Sequence, residues 1–166
     1  MNLRAGQHLV DYKFCELPPA SISGFVYVDD DGDCVYDPSE QPVEGVVIEL
    51  RDSAGRVVAR TTTNANGNYN FEGLAPGEYQ VFEQQPDGMF QGGQTVGTGD
   101  GEVLGDDLLG VNLLTGQHLV DYNFCEVAPS SISGKVWQES DPNQLFEPGD
   151  TPIPGVLVEL IDEGGD

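Results

Sequence analysis

At 166 residues the chain has room for one domain of ordinary size, or one domain with parts of others. Its formal net charge of −23, from 29 acidic and 6 basic residues, repels phosphate backbones and excludes nucleic acid as a partner. No apolar run is long enough to span a bilayer, and Met1 opens onto a polar strand-like segment that does not read as a signal peptide. With 22 Gly and 11 Pro, the composition suits short strands joined by turns.

An internal repeat organises everything else. Gly6 to Cys15 reads GQHLVDYKFC and Gly116 to Cys125 reads GQHLVDYNFC, nine of ten positions identical at an offset of 110. The match continues at Ser21-Ile22-Ser23-Gly24 against Ser131-Ile132-Ser133-Gly134, and weakens towards Pro42 to Val46 against Pro152 to Val156. Residues 1–16 therefore read as the last strand of a preceding copy, 21–126 as a complete copy and 131–166 as the first part of the following one. Residues 16–20 and 126–130 are short proline-containing linkers, which make stiff joints. Ends cut inside a fold leave unpaired strand edges, so head-to-tail self-association is expected: strand 6–15 of one molecule completes the piece 131–162 of another.

Within the complete copy, strands are predicted at 22–28, 45–51, 56–63, 68–72, 78–84, 108–113 and 117–125. Val46, Ile48 and Leu50 alternate with polar neighbours, as do Tyr79 and Val81, the period of a half-buried strand. Breakers separate them at 52–55, 64–67, 75–77 and 86–88. Residues 90–107 read as a long Gly-rich loop. Seven short strands without a helical period argue for an immunoglobulin-like (prealbumin-like) sandwich, all-β and repeated in tandem.

The strongest chemical signal is Asp29 to Glu40, DDDGDCVYDPSE. Counting Asp29 as one, Asp31, Asp33, Val35, Asp37 and Glu40 fall at three, five, seven, nine and twelve. These are the ligand positions of an EF-hand-type Ca2+ loop, with a backbone carbonyl at seven and a bidentate acid at twelve. Carboxylates this close repel one another unless a cation lies between them. The competing reading is a solvated acidic turn. Position six, usually Gly for a sharp turn, is Cys34, which is strained if the backbone there needs positive φ. At an offset of 110 the pattern returns as Glu139, Asp141, Asn143, Leu145, Glu147 and Asp150, a second and weaker site because Asp is shorter than Glu at position twelve.

These features resemble the SdrD B-like domains of serine-aspartate repeat adhesins, within the collagen-adhesin B-domain (Cna-B-like) group. The residues that carry the resemblance are Ser23 to Asp29, the acidic loop, Pro42 to Val46, Thr61 to Phe71, Leu74 to Tyr79 and Tyr122 to Phe124. The resemblance implies a seven-stranded sandwich with calcium at one pole, exported in tandem arrays that hold a distal region away from the cell. Some relatives carry a Lys–Asn isopeptide bond promoted by an acid. Asn123 and Glu83 resemble the acceptor and that acid, but Phe25 stands at the lysine position, so no such bond is expected in 21–126. Lys135 occupies the position in the following copy, and Lys13 stands where the preceding copy would have its acceptor. Relatives have Gly where this chain has Cys34 and Cys125. The first and last strands of the family sandwich run side by side, so the joint replacement implies a Cys34–Cys125 disulfide, with three free thiols as the alternative. By the same logic Cys15 pairs within the preceding copy.

The remaining residues carry less. His8 and His118 are repeat equivalents and read as structural. Asp100, Asp106 and Asp107 gather either a second cation or only solvent. Trp137, equivalent to Tyr27, reads as core. Glu83 has no partner acid for glycoside chemistry, and no triad or phosphate loop is placed by context. The expectation is therefore a calcium-binding stalk repeat, secreted or at a bacterial cell surface, not an enzyme, with neighbouring repeats as its partners. The alternatives are an adhesive module that recognises another surface or matrix protein by a sheet edge or by 90–107, and an accessory domain of an exported enzyme.

Overall fold

The computed structural model describes residues 13–140, 143 and 145–161, and these form two units, 1–129 and 130–166. No helix occurs among the described residues. Among its described residues the larger unit holds eleven strands, beginning with β1 (Ala20–Val28), β2 (Gln41–Pro42), β3 (Val47–Asp52), β4 (Val57–Thr62) and β5 (Asn68–Leu74). They continue with β6 (Gly77–Glu83), β7 (Phe90–Thr95), β8 (Gly101–Gly105), β9 (Leu108–Leu113), β10 (His118–Leu119) and β11 (Asn123–Val127). One sheet is a wholly antiparallel array in the order β4-β3-β6-β9-β8. The other is built on β1, which pairs antiparallel with β5 and β2 and parallel with β10 and β11, while β7 closes the far side of β11.

The two sheets bury the alternating apolar residues against each other. Ile48, Leu50, Val81, Leu109, Val111 and Leu113 come from the first sheet, and Ile22, Val26, Tyr69, Phe71, Leu119 and Phe124 from the second. Glu49 accepts from Arg51 at 2.6 Å and from Arg60 at 2.8 Å on the outer face, and the Arg51 guanidinium lies 3.7 Å over the Phe82 ring. These arginines hold the Glu49 carboxyl below its usual range.

The seven predicted strands are all present, with two corrections. The segment 90–107 is not a loop: it contains β7 and β8. Its Gly and Gln residues have weak strand propensity, but the exposed edges of β11 and β9 supply ladder partners. Glycine is required there, because a Cβ at Gly92 would stand 2.7 Å from the Cys125 carbonyl oxygen. The predicted strand 117–125 is broken into β10 and β11 at Asp121, whose φ is 64°. That kink lets one segment serve both halves of β1, and His118 accepts or donates at Nδ1 to the Ser21 hydroxyl at 2.8 Å.

In the smaller unit β12 (Trp137–Gln138) pairs antiparallel with β13 (Thr151–Pro152). The register, Trp137 with Pro152 and Gln138 with Thr151, repeats that of Tyr27 with Pro42 and Val28 with Gln41 at the offset of 110. Trp137 is half-buried in this unit and packs on Phe146, not in a core. The proposed strand 6–15 lies largely outside the described residues.

Gly24 sits where β1 passes the backbone of Tyr122, and a Cβ there would lie 1.8 Å from the Tyr122 carbonyl oxygen. Gly24→Ala should therefore destabilise the domain by about 3 kcal/mol in chemical denaturation. Gly105→Ala, whose Cβ would meet nothing within 4 Å, should be neutral in the same measurement.

Candidate metal centre

The acidic loop leaves the end of β1 and returns into β2. Asp29 is anchored first: its N–H donates to the Glu126 carbonyl at 2.8 Å, continuing the β1–β11 ladder. Its buried carboxylate then accepts from Gly32 N at 2.8 Å and Asp33 N at 3.3 Å through Oδ1, and from Cys34 N at 3.0 Å through Oδ2. Glu40, also buried, accepts from Asp30 N at 3.3 Å through Oε1 and from Asp37 N at 2.8 Å through Oε2. The two acids thus hold the loop's backbone from its two ends. Tyr36 pins its middle by stacking on Phe25, with centroids 5.0 Å apart, and by an edge contact with Tyr27 at 5.3 Å.

Of the six predicted ligands, the structure brings the carboxylates of Asp29, Asp31 and Glu40 together, with one oxygen from each within 4.8 Å of the others. Asp33 turns its Oδ1 onto Val35 N at 2.7 Å, and Asp33, Val35 and Asp37 lie on the exposed side of the loop. The electrostatics are one-sided. Asp33 lifts the Asp31 carboxyl above its ordinary range, and none of the ion pairs among the described residues involves the loop. The Tyr27 hydroxyl is buried beside these acids without a hydrogen-bond partner. Burial, then Glu40 and Asp29, push its ionisation up. Oxygen ligands in this number and charge suit a hard divalent cation such as Ca2+.

The second loop repeats this local geometry. Asp150 accepts from Ser140 N at 2.8 Å and from Glu147 N at 3.0 Å, as Glu40 does from Asp30 and Asp37. Leu145 N donates to Asn143 Oδ1 at 2.7 Å, as Val35 does to Asp33. Phe146 packs edge-on against Trp137 and under the Lys135 ammonium, in the places of Tyr36, Tyr27 and Phe25. Asp141 lies outside the described residues.

Cys34 and Cys125 are joined by a disulfide, with Cα atoms 5.6 Å apart and a sequence separation of 91. It ties position six of the loop to β11. Cys34 adopts φ 51°, the left-handed conformation that glycine would take without strain. Gly93 of β7 lies against the bridge, and a Cβ there would be 3.3 Å from the Cys34 sulfur. Cys15 is free and exposed. Phe25 offers no amine to Asn123; instead its N–H donates to Asn123 Oδ1 at 2.9 Å.

The family model of the SdrD B-like domain matches residues 20–117, more than half of the chain. The chain belongs to the SdrD B-like domain family. It is 31% identical over 148 residues to serine-aspartate repeat-containing protein C of Staphylococcus aureus strain Newman, covering 88% of this chain and 16% of that protein. It is 39% identical over 82 residues to protein I of Staphylococcus saprophyticus, covering 49% of this chain and 4% of that protein. The chain thus spans only a small part of these relatives' length. Among solved structures, the minor pilin GBS52 of Streptococcus agalactiae overlays with a TM-score of 0.45 at 15% identity, covering 72% of this chain and 49% of that one. The curated relatives that share this domain are serine-aspartate repeat-containing proteins.

Sequence reasoning missed one cluster. Glu83, read as lacking a partner acid, lies with Glu126 and Asp107, one oxygen from each within 4.8 Å of the others. Asp107 therefore joins these two, not the set with Asp100 that its spacing suggested. Glu83 ends β6, Asp107 occupies the β8–β9 turn with φ 59°, and Glu126 lies in β11. Burial raises all three carboxyl groups, most of all Glu83, which also feels Glu126 and Asp107. Only the alternation Val81-Phe82-Glu83 hinted at it, since it puts Glu83 on the inner face of β6.

Two outcomes follow from this geometry. Cys34→Ser should destabilise the domain by about 4 kcal/mol through loss of the long cross-link. Cys34→Gly should lose about 1 kcal/mol less, because glycine relaxes the left-handed backbone; denaturant midpoints compare the two. Raised carboxyl ionisation stabilises the folded protein fully at low pH and progressively less as pH climbs above the ordinary carboxylate range. In chelator, the thermal midpoint should fall from pH 5 to pH 9, and Glu83→Gln should flatten that fall.

Proposed function

We propose that this chain is a calcium-stiffened stalk repeat of a bacterial cell-surface or secreted adhesin-like protein. The observation that carries the calcium reading is the convergence of Asp29, Asp31 and Glu40 in a loop whose backbone is already wrapped around Asp29 and Glu40. Three carboxylates held this close without a basic partner repel one another, and a divalent cation among them converts that repulsion into attraction. The recurrence of the same hydrogen bonds around Asp150 supports a loop shape kept for a purpose beyond one copy.

The stalk reading is supported by topology. β1 and β11 run parallel as direct neighbours, so the chain enters the domain at the start of β1 and leaves at the opposite pole, at the end of β11. Tension applied through the two ends loads that ladder in shear, with its hydrogen bonds resisting together. The acidic loop and the disulfide sit where β11 leaves, so a bound cation would stiffen the exit to the next repeat. Membership of the SdrD B-like family, and similarity to serine-aspartate repeat proteins, favour this setting.

Thermal unfolding of the chain in excess calcium and in chelator tests the metal. At a calcium concentration a hundredfold above Kd, stability should rise by about 2.7 kcal/mol for the loop site, and Asp31→Ala with Glu40→Ala should remove that share of the rise. An unchanged midpoint in the unaltered chain would reduce the loop to a solvated turn.

A further inference from the structure

We propose that Glu83, Asp107 and Glu126 form a second divalent-cation site, enclosed between the two sheets and distinct from the acidic loop. Glu83 belongs to one sheet, Glu126 to the other, and Asp107 to a turn at the same end, yet one oxygen of each lies within 4.8 Å of the others.

Proximity of acids alone would not make a site; the unmet hydrogen-bonding does. Glu83 and Glu126 are each 0% exposed. Both carboxylate oxygens of Glu83, Oε1 of Glu126 and Oδ1 of Asp107 are buried and receive no donor from outside the cluster; the contact open to them is a proton held between Glu83 and Glu126. Gln85 Nε2 donates to Glu126 Oε2, the one donor these side chains share out. Gln91 stands directly across from Glu126 in the β7–β11 ladder, and its Oε1 is likewise buried with no donor, its amide nitrogen being given to Gln94 at 2.7 Å. A folded interior leaves few polar atoms in this state, and here five oxygens share it.

A basic side chain is the usual remedy, and none is supplied. The three ion pairs among the described residues use Arg51, Arg56 and Arg60 with Glu49 and Asp52, all on the other parts of the five-stranded sheet. What remains is a set of hard oxygen donors with up to three negative charges, the ligand chemistry of calcium or magnesium. Asp107 is held in place for such a role, because its carbonyl accepts the Glu83 N–H at 3.0 Å. A cation there would bridge the sheets beside the disulfide, and it does not depend on the loop binding calcium. The rival chemistry is a proton shared between Glu83 and Glu126, which would satisfy part of the set without metal.

The number of calcium ions bound by the whole chain separates the two. The chain is stripped with chelator, then titrated with calcium and counted by native mass spectrometry and calorimetry. The double variant Glu83→Gln with Glu126→Gln keeps side-chain volume and removes buried charge, so it should stay folded by circular dichroism and bind one ion fewer than the unaltered chain. The loop variant Asp31→Ala with Glu40→Ala should keep that ion, which distinguishes failure of this site from failure of the loop. Equal ion counts in the unaltered chain and the Gln double variant would overturn the proposal and favour the shared proton. A second readout needs no variant: manganese in place of calcium should broaden the amide resonances of Gln84 and of 106–108, and broadening confined to the 29–40 loop would also overturn it.

Discussion

The parallel ladder between β1 and β11 is the constraint on which the remaining structure depends. It brings the first and last strands of the domain side by side, with Val26 opposite Phe124 and Val28 opposite Glu126. The ladder runs on through the Asp29 N–H to the Glu126 carbonyl. Three features are set by that one register: the acidic loop begins where the ladder ends, Cys34 comes within bridging reach of Cys125, and Glu126 is turned into the interior towards Glu83. A slip of one residue would turn Phe124 and Glu126 to the opposite face. The close passage of Gly24 over the Tyr122 backbone, and the Tyr69 hydroxyl donating to the Tyr122 carbonyl at 2.6 Å, hold the register from the other side.

Charge is distributed with the same asymmetry. Arg51 and Arg60 neutralise Glu49 on the outer face of the five-stranded sheet, and Arg56 neutralises Asp52 near by. The pole where β1 and β11 end gathers carboxylates and no ion pair among the described residues. Such a pole is costly to fold without counter-charge, because buried or crowded carboxylates lose hydration and repel one another. Cations are the economical counter-charge for oxygen sites of this density. The disulfide adds a covalent tie at the same place, where electrostatic repulsion would otherwise open the loop.

How much of this was legible in the sequence differs from element to element. β3, β6 and β9 were readable because Ile48 and Leu50, Val81, and Leu109 to Leu113 alternate with polar neighbours, and that alternation is a local property of a two-faced strand. The acidic loop was readable because its ligand spacing lies within twelve residues, and its recurrence 110 residues later could be compared position by position. β7 and β8 were not readable. FQGGQT and GEVLG carry no alternation, and they are strands only because β11 and β9 offer them free edges and because Gly92 and Gly93 clear Cys125. The break between β10 and β11 was hidden for a similar reason: Asp121 turns there to serve two halves of a strand a hundred residues away.

By itself, then, the sequence determined what depends on near neighbours along the chain: the repeat, the strand periods, the acidic loop and the acidic charge of the whole. Family resemblance, not spacing, pointed to the pairing of Cys34 with Cys125, since a sequence separation of 91 carries no local signal. The tertiary structure alone decided which distant groups meet. Glu83, Asp107 and Glu126 stand far apart in sequence, and no segment shows that the three meet. They become a cluster because two sheets close over the same end of the core, and contact between sheets is a property of packing that no window of sequence contains.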